Sequence, residues 1–465
     1  MRSRRRGRLL TAVSLTGLGA LSVAALSTVS QAAMRSRADT SEFLAWARAA
    51  ARPLAGTGPS ATHADSAQLA RAIGSARVVA LGEPAHGAQQ PLAFRNRLFR
   101  YLVRHDGVTA IALESSFTES RAIDDFVLGG AGDAETLARR DLSWGFGRYE
   151  ENVRLIRWMR NYNQHAHGRR QLHFYGIDMS GGGDKGDYAN PGVAVRSAVA
   201  YLRTAAPRSS VVVLKGIAPQ LLVMGRVGYW QMALHHQRSL EGMLGSLDRY
   251  IDSNGPMLRR TSSSADYDWA VHNLVVARQL FAYLRLQTAP EGNSMTIGPY
   301  DYREDNVREA AMASNVLWAL REEGSDGRLM VYAHDAHVMN GRSRGGIWSA
   351  YKRAPLMMGA RLRKRLDGRL VIIGMLAAHS GQGLPEGRPI AGSVEEILER
   401  LHMPRFFLDL RQARGHDGAS SWLEERRPIR VNFDTETDVV PARAFDVLVF
   451  MDRIAPAIPN RTPNR

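Results

Sequence analysis

Residues 76–87 read ARVVALGEPAHG: an apolar run closed by Glu83 and His86, three residues apart among glycine and proline. The stretch from Val78 to Leu81 predicts a short buried strand. A helix follows across Pro91 to Arg104, with Phe94, Leu98 and Leu102 at helical spacing. The alternation then repeats. Thr109 to Leu113 (TAIAL) is a second strand ending on Glu114, followed by a helix over Glu119 to Leu128. A further helix spans Glu150 to Asn163, and a third strand, Leu172 to Ile177, ends at Asp178. Strand signals stop from about 190 to 300, where patterns such as WAVHNLVVARQLFAYLRLQ are helical, and they resume at Leu329 to Ala333, Leu370 to Leu376 and Phe445 to Phe450.

Strands alternating with helices predict an α/β fold, a mostly parallel central sheet flanked by helices, with an inserted helical subdomain. The expected organisation is a leader over 1–33, an N-terminal helix and linker over 34–75 and a first core half over 76–185. The helical insert then covers 186–300, the second core half 301–455, and 456–465 is a disordered tail. In such sheets ligands bind beyond the carboxyl ends of the strands. Glu83 and His86 follow one strand there, Glu114 ends the next, and His334 and His337 follow a fourth. Residues distant in sequence thus converge on one edge.

These residue types suit water activation: a histidine beside a carboxylate takes a proton from water, and a second histidine or an arginine stabilises the oxyanion on an acyl carbonyl. A carboxylate appended to TAIAL needs a partner once buried, and Arg95 is the partner expected for Glu114. Asp178 reads as a cap or loop residue, and His165 with His167 as a solvated helix end; His235 and His236 cap or line the insert. Two rivals stand beside this reading. Gly341 to Gly345 (GRSRG) fits a serine-hydrolase elbow, but it lies well past its strand, and its flanking arginines suit an exposed loop. Glu83, His86, Glu114, His334 and His337 are also donors suited to zinc or manganese, which leaves a metal-, haem- or glycan-binding protein without turnover as the alternative.

Composition sets the outer limits. The chain has 465 residues, 45% of them hydrophobic, and no cysteine, so neither disulfides nor thiol nucleophiles enter. The opening MRSRRRGRLL, an apolar run and the small residues SQAA at 30–33 have the layout of a secretory signal, possible also for the twin-arginine route. Export is expected, with no membrane span in the chain that remains. The formal charge of +16 includes five arginines of that leader. No basic stretch is interleaved with aromatics, so nucleic acid is not an expected partner.

Several motifs in order resemble the erythromycin esterase family: LGEPAHGAQQPLAFRNRLFRYLV and AIALES, the Trp144 to Asn163 segment, FYGIDM, YREDNVREAAMASNVLWAL, VYAHDAHV and Met358-Gly359. The resemblance implies an α/β hydrolase that uses water directly, without a covalent intermediate or a cofactor. It assigns Glu83 and His86 as the catalytic Glu-x-x-His with His86 as base, and carries over Arg95, Glu114, His334 and His337, the last two to bind or polarise the ester. The implied partner is a small-molecule ester; the macrolide-cleaving members open a 14-membered lactone ring. Two departures stand out: Asp335, where the family often has Asn, and the glycine-rich MSGGGDKGD after the third strand.

Overall fold

A computed structural model describes residues 37–58, 64–166, 168–181, 189–217, 219–287, 303–345, 348–349, 354–384, 388–432 and 435–460. The expected leader and most of the glycine-rich loop lie outside the described residues.

Ten strands run in chain order: β1 Arg52–Pro53, β2 Val78–Glu83, β3 Val108–Ser116, β4 His173–Asp178, β5 Arg328–His334, β6 Leu370–Ser380, β7 Arg405–Asp409, β8 Arg427–Asn432, β9 Thr435–Val439 and β10 Val447–Ile454. Eight form the central sheet in the order β1-β7-β10-β6-β2-β5-β3-β4, and β8 with β9 makes a separate ribbon. From β10 to β4 every neighbouring pair is parallel; β7 runs antiparallel beside β10. The sheet is therefore mostly parallel and flanked by helices.

The central parallel strands are apolar through their middles, as in VVAL and LMVYA, because both faces are covered. Period-two alternation sorts them between two cores. Val78, Ala80, Ala112, Val331 and Ile372 face helices Pro191–Ala205, Ser264–Gln287 and Arg303–Glu322. Val79, Leu81, Leu113, Tyr332 and Ile373 face helices Gln89–His105 and Glu150–Gln164. Phe94, Leu98 and Leu102 point inward from the first of these, as their spacing requires. The helices between β4 and β5 share one apolar core with the sheet: Leu240, Leu244 and Leu247 pack in the same cluster as Val78 and Ala80. Among the described residues no helix is long and apolar enough to cross a membrane.

The position of the site follows from the strand order. The crossover from β2 leaves over β5 to β3 on one face, while that from β5 leaves over β2 to β6 on the other. Adjacent strands whose connections diverge open a crevice at their carboxyl ends. Glu83 and His334 end those two strands and are register partners.

One expectation is corrected. Residues 456–460 of the expected disordered tail pack against the loops beyond β2 and β3. Ala457 N–H donates to Gly87 O at 2.7 Å, and Asn460 N–H donates to Arg148 O at 2.6 Å. Pro456 and Pro459 read as terminators in sequence, but they extend the chain, and the N–H groups between them find acceptors.

Candidate active site

The turn after β2 is built by steric necessity. A Cβ on Gly82 would overlap the Asp335 carboxylate, and one on Gly87, at φ +71°, would meet the Tyr149 phenol. Glycine at both places lets the loop fold down, and Glu83 ends up almost fully buried while His86 stays partly open. The His86 Nδ1 lies 2.6 Å from Glu83 Oε1, and Tyr332 donates its hydroxyl to Glu83 Oε2 at 2.5 Å. That contact assigns the proton to Nδ1 and leaves the Nε2 lone pair free. Phe146 abuts the ring edge-on at 4.7 Å, and His334 stacks on it with centroids 3.5 Å apart.

Glu114 is the hub. Its Oε1 accepts from Arg308 Nη2 at 3.0 Å and stands 3.1 Å from His337 Nε2; its Oε2 accepts the His334 N–H at 2.9 Å. His86 Nε2 is 3.8 Å from the same Oε1. Burial pushes the Glu114 carboxyl up, but the charge and hydrogen bond of His337, foremost among the neighbouring imidazoles, outweigh it and hold the group well below the usual range. His337 is the mirror case. Burial lowers its imidazole, yet Glu114 and Glu309 raise it to about 10. Glu309 Oε1 lies 2.5 Å from His337 Nδ1, and its Oε2 accepts the Met358 N–H at 2.7 Å. Both nitrogens of His337 are thus taken by carboxylates. His334 is the opposite: burial and the nearby His86 push its pKa well down, and its buried Nε2 has no hydrogen-bond partner. A buried nitrogen without a partner is an exception among buried polar groups, and it marks His334 Nε2 as the candidate contact for a ligand atom.

The structure gathers Glu83, His86, Glu114, His334 and His337 at one edge, but not Arg95 as the partner of Glu114. The Arg95 guanidinium lies beneath the site, 4.7 Å from the Tyr332 ring centroid, donating to Asn96 Oδ1. It points into the face holding helix Gln89–His105, whereas Glu114 is approached from helix Arg303–Glu322. Arg308 takes that role, and it also clamps Asp178 through Nε at 3.0 Å and Nη2 at 2.6 Å. Asp178 is therefore more than a cap: it also accepts from Trp144 Nε1 at 3.0 Å and from the Met179 N–H at 2.8 Å. Trp144 holds a left-handed φ of +60°, a conformation costing about 1–2 kcal/mol for a bulky residue, and its ring lies against Arg308. Arg308 and Glu309 were legible only as parts of the REDNVREAAM helix; their charge on a buried face was the signal. Ser343 is fully buried with an unpartnered hydroxyl, not on an exposed loop, which removes it from any accessible nucleophile position. His165 is exposed at a helix end, its Nδ1 against Asn161 O at 2.8 Å; His167 lies outside the described residues.

Among the described residues three donor sets could hold a metal ion; two are at this site, Glu83–His86–His334 and Glu114–His334–His337, and the third, His379–Glu399–Asp452, is elsewhere. In the second, the Arg308 guanidinium and the His337 imidazolium already compensate Glu114, so a divalent ion would meet two cations.

Comparison with known proteins agrees with this architecture. The described fold is similar to that of a Bacillus cereus protein (TM-score 0.74, 23% identity, covering 91% of this chain and 99% of the other). It is also similar to that of a succinoglycan biosynthesis protein (TM-score 0.70, 20% identity, 90% and 98% covered). A variant of the erythromycin esterase EreC in its open conformation superimposes with a TM-score of 0.63 at 18% identity, covering 87% of this chain and 98% of that one. In sequence, erythromycin esterase type II of Escherichia coli is 23% identical over 386 residues, 76% of this chain and 85% of its own length. Residues 103–454, a stretch that begins after Glu83, His86 and Arg95, match the erythromycin esterase family, and the chain belongs to that family.

Proposed function

We propose that the protein is an exported carboxylic-ester hydrolase that opens a macrolactone or a related ester with water activated by His86. The observation that carries this reading is the pairing of an oriented base with an open donor. His86 is fixed through Nδ1 by Glu83, and the stacked His334 presents an unpartnered Nε2. In the step proposed, water attacks the acyl carbon and gives a proton to His86 Nε2, while the carbonyl oxygen gains negative charge against the His334 Nε2–H. Collapse breaks the bond to the alkoxide oxygen, which takes the proton from His86, leaving a carboxylic acid and an alcohol. Glu114, Arg308 and His337 form the charged frame that holds both rings, and Arg95 supports Tyr332 and so Glu83. Export rests on the basic-apolar-small layout of residues 1–33, and the choice of a macrolactone on the name of the Escherichia coli relative.

The test is incubation of the chain from residue 34 with erythromycin, followed by mass spectrometry, with His86→Ala in parallel. A product heavier by one water, lost in the variant, is expected. Turnover by His86→Ala near the wild-type rate would refute the role of the base. A second reading, metal binding without turnover, draws on the two overlapping donor sets. It requires a melting temperature that falls with chelator and no product from any ester in a library.

A further inference from the structure

At the opposite edge of the sheet, where β2, β5 and β6 begin, a cleft of about 1020 Å³ runs between helices Arg303–Glu322 and Met358–Leu366. Its rim carries Arg77, Arg321, Arg361, Lys364, Arg365 and Arg369, and among the described residues no acidic side chain lines it. Its floor is largely aliphatic, with Ala313, Leu317, Leu356 and Ala360 beside Ser314, and no aromatic ring among the described residues.

Part of this charge has an ordinary explanation. Both helices end here, and a helix carboxyl terminus carries about half a negative charge, which basic residues in the last turn offset. Two such ends amount to about one negative charge against six cations. Glu309 and Glu322 act on Arg361 and Arg321 from a distance, but among the described residues none of the six cations makes a contact ion pair with a carboxylate. Arg77 donates to Gly327 O at 2.9 Å, Arg361 to Leu356 O at 3.1 Å and Arg369 to Leu366 O at 3.4 Å. Those are carbonyls, which satisfy donors without cancelling charge. Arg321, Lys364 and Arg365 are exposed and make no ion pair among the described residues. The excess positive charge therefore faces the cleft.

We infer that this cleft is a binding site for an anionic amphiphile, whose phosphate or carboxylate head is held by the cationic rim and whose aliphatic tail lies on the alanine and leucine floor. The floor selects this class. A purely polar polyanion would leave the Leu317 and Leu356 surface unmatched, and nucleic acid would find no ring on which a base could stack. The site lies away from His86, at the other end of the strands, and does not rest on the proposed hydrolysis.

The test is titration calorimetry of the full chain with decyl phosphate, which has no carboxylic ester to cleave, held below its micelle concentration. Decyl maltoside supplies the same tail without charge, and inorganic phosphate the same head without a tail. Decyl phosphate should bind one per chain, at least tenfold more tightly than either control. The charge-reversed variant Arg321→Glu/Lys364→Glu/Arg365→Glu should bind it at least tenfold more weakly. Circular dichroism checks that the variant is folded, and the single substitution Arg365→Glu serves if the triple one is not. No binding to the wild type, equal affinity for either control, or unchanged affinity in the folded charge-reversed variant would each overturn the inference.

Discussion

Removing residues 455–465 should leave the protein folded and cripple it as a catalyst. Seven hydrogen bonds of 3.0 Å or shorter tie residues 455–460 to the rest, beside a longer one from Asn460 Nδ2 to Gly147 O at 3.4 Å. Four are between backbone groups: Gln89 N–H to Ala455 O at 2.8 Å, Ala457 N–H to Gly87 O at 2.7 Å, Glu150 N–H to Ile458 O at 3.0 Å, and Asn460 N–H to Arg148 O at 2.6 Å. Gln90 and Gln89 side-chain oxygens accept from Ala455 and Ile458, and Arg139 donates to Asn460 O. At about 1 kcal/mol each these contribute roughly 7 kcal/mol. Ordering six residues costs about 1–2 kcal/mol apiece, roughly 6–12 kcal/mol, so the net effect on global stability is near zero. The local effect is different. The segment joins the loop of His86 and Gly87 to that of Arg148 and Glu150, and without it His86, the proposed base, loses two anchors within three residues. Misplacement of a catalytic group by about 1 Å costs up to about 100-fold. Truncation after Ile454 should therefore shift the melting temperature by only a few degrees and lower kcat 10- to 100-fold, with KM changed less. Thermal melts and turnover of whichever ester the mass-spectrometric screen identifies would measure both. Activity within twofold of the full chain, or collapse of the melting transition, would refute the reasoning.

Replacing Glu114 with Gln should destabilise the fold by about 3–5 kcal/mol in denaturant titration, because Arg308 and His337 lose the carboxylate they share. A change below about 1 kcal/mol would mean that Asp178 and Glu309 alone neutralise the pair. The raised pKa of His337, about 10, gives a sign to pH dependence. Its imidazolium adds stability that is complete below the unfolded value near 6.5 and fades as pH climbs towards the folded value, so the wild-type melting temperature should fall between these limits and Glu309→Gln should flatten the fall. Asp335 is fully buried, accepts the Met375 N–H at 3.0 Å, and burial holds its carboxyl well above the usual range. A raised carboxyl loses stability as pH rises past its unfolded value, so Asp335→Asn should melt at or above the wild-type temperature at pH 7; a drop of 10 °C would contradict a neutral side chain there.

The sheet was readable because both of its faces are covered: VVAL, TAIAL and LMVYA are unbroken apolar runs, and runs of that kind with helices between them leave few alternatives to a parallel α/β core. The convergence of Glu83, Glu114 and His334 followed from one rule about carboxyl ends. Partner choice did not follow. Arg95 and Arg308 both stand on helices next to the sheet, and sequence spacing says nothing about which face each helix covers. Strand order decides that: β5 inserts between β2 and β3, so the helix before β5 delivers Arg308 to Glu114, while the helix after β2 lies on the other side. The tail was missed for a related reason, since its acceptors at Gly87 and Arg148 belong to loops more than 300 residues away in sequence.

The roles of the two histidines in the AHDAH segment divide on the same ground. Three residues apart on one short turn, they look interchangeable in sequence, yet the neighbours supplied by the fold differ. His337 sits between Glu114 and Glu309 and is locked as a cation by two contacts. His334 stacks on another imidazole, has Glu114 Oε2 3.9 Å from its Nδ1, and keeps Nε2 without a hydrogen-bond partner among the described residues. A fixed cation whose nitrogens are both occupied cannot also receive a developing oxyanion without breaking a carboxylate contact, whereas a neutral ring with an open nitrogen can. On the proposed mechanism, the charge that stabilises the frame and the group that would meet the ester therefore fall to different side chains. That division argues for His334, more than His337, as the residue whose loss should lower kcat with little change in fold stability.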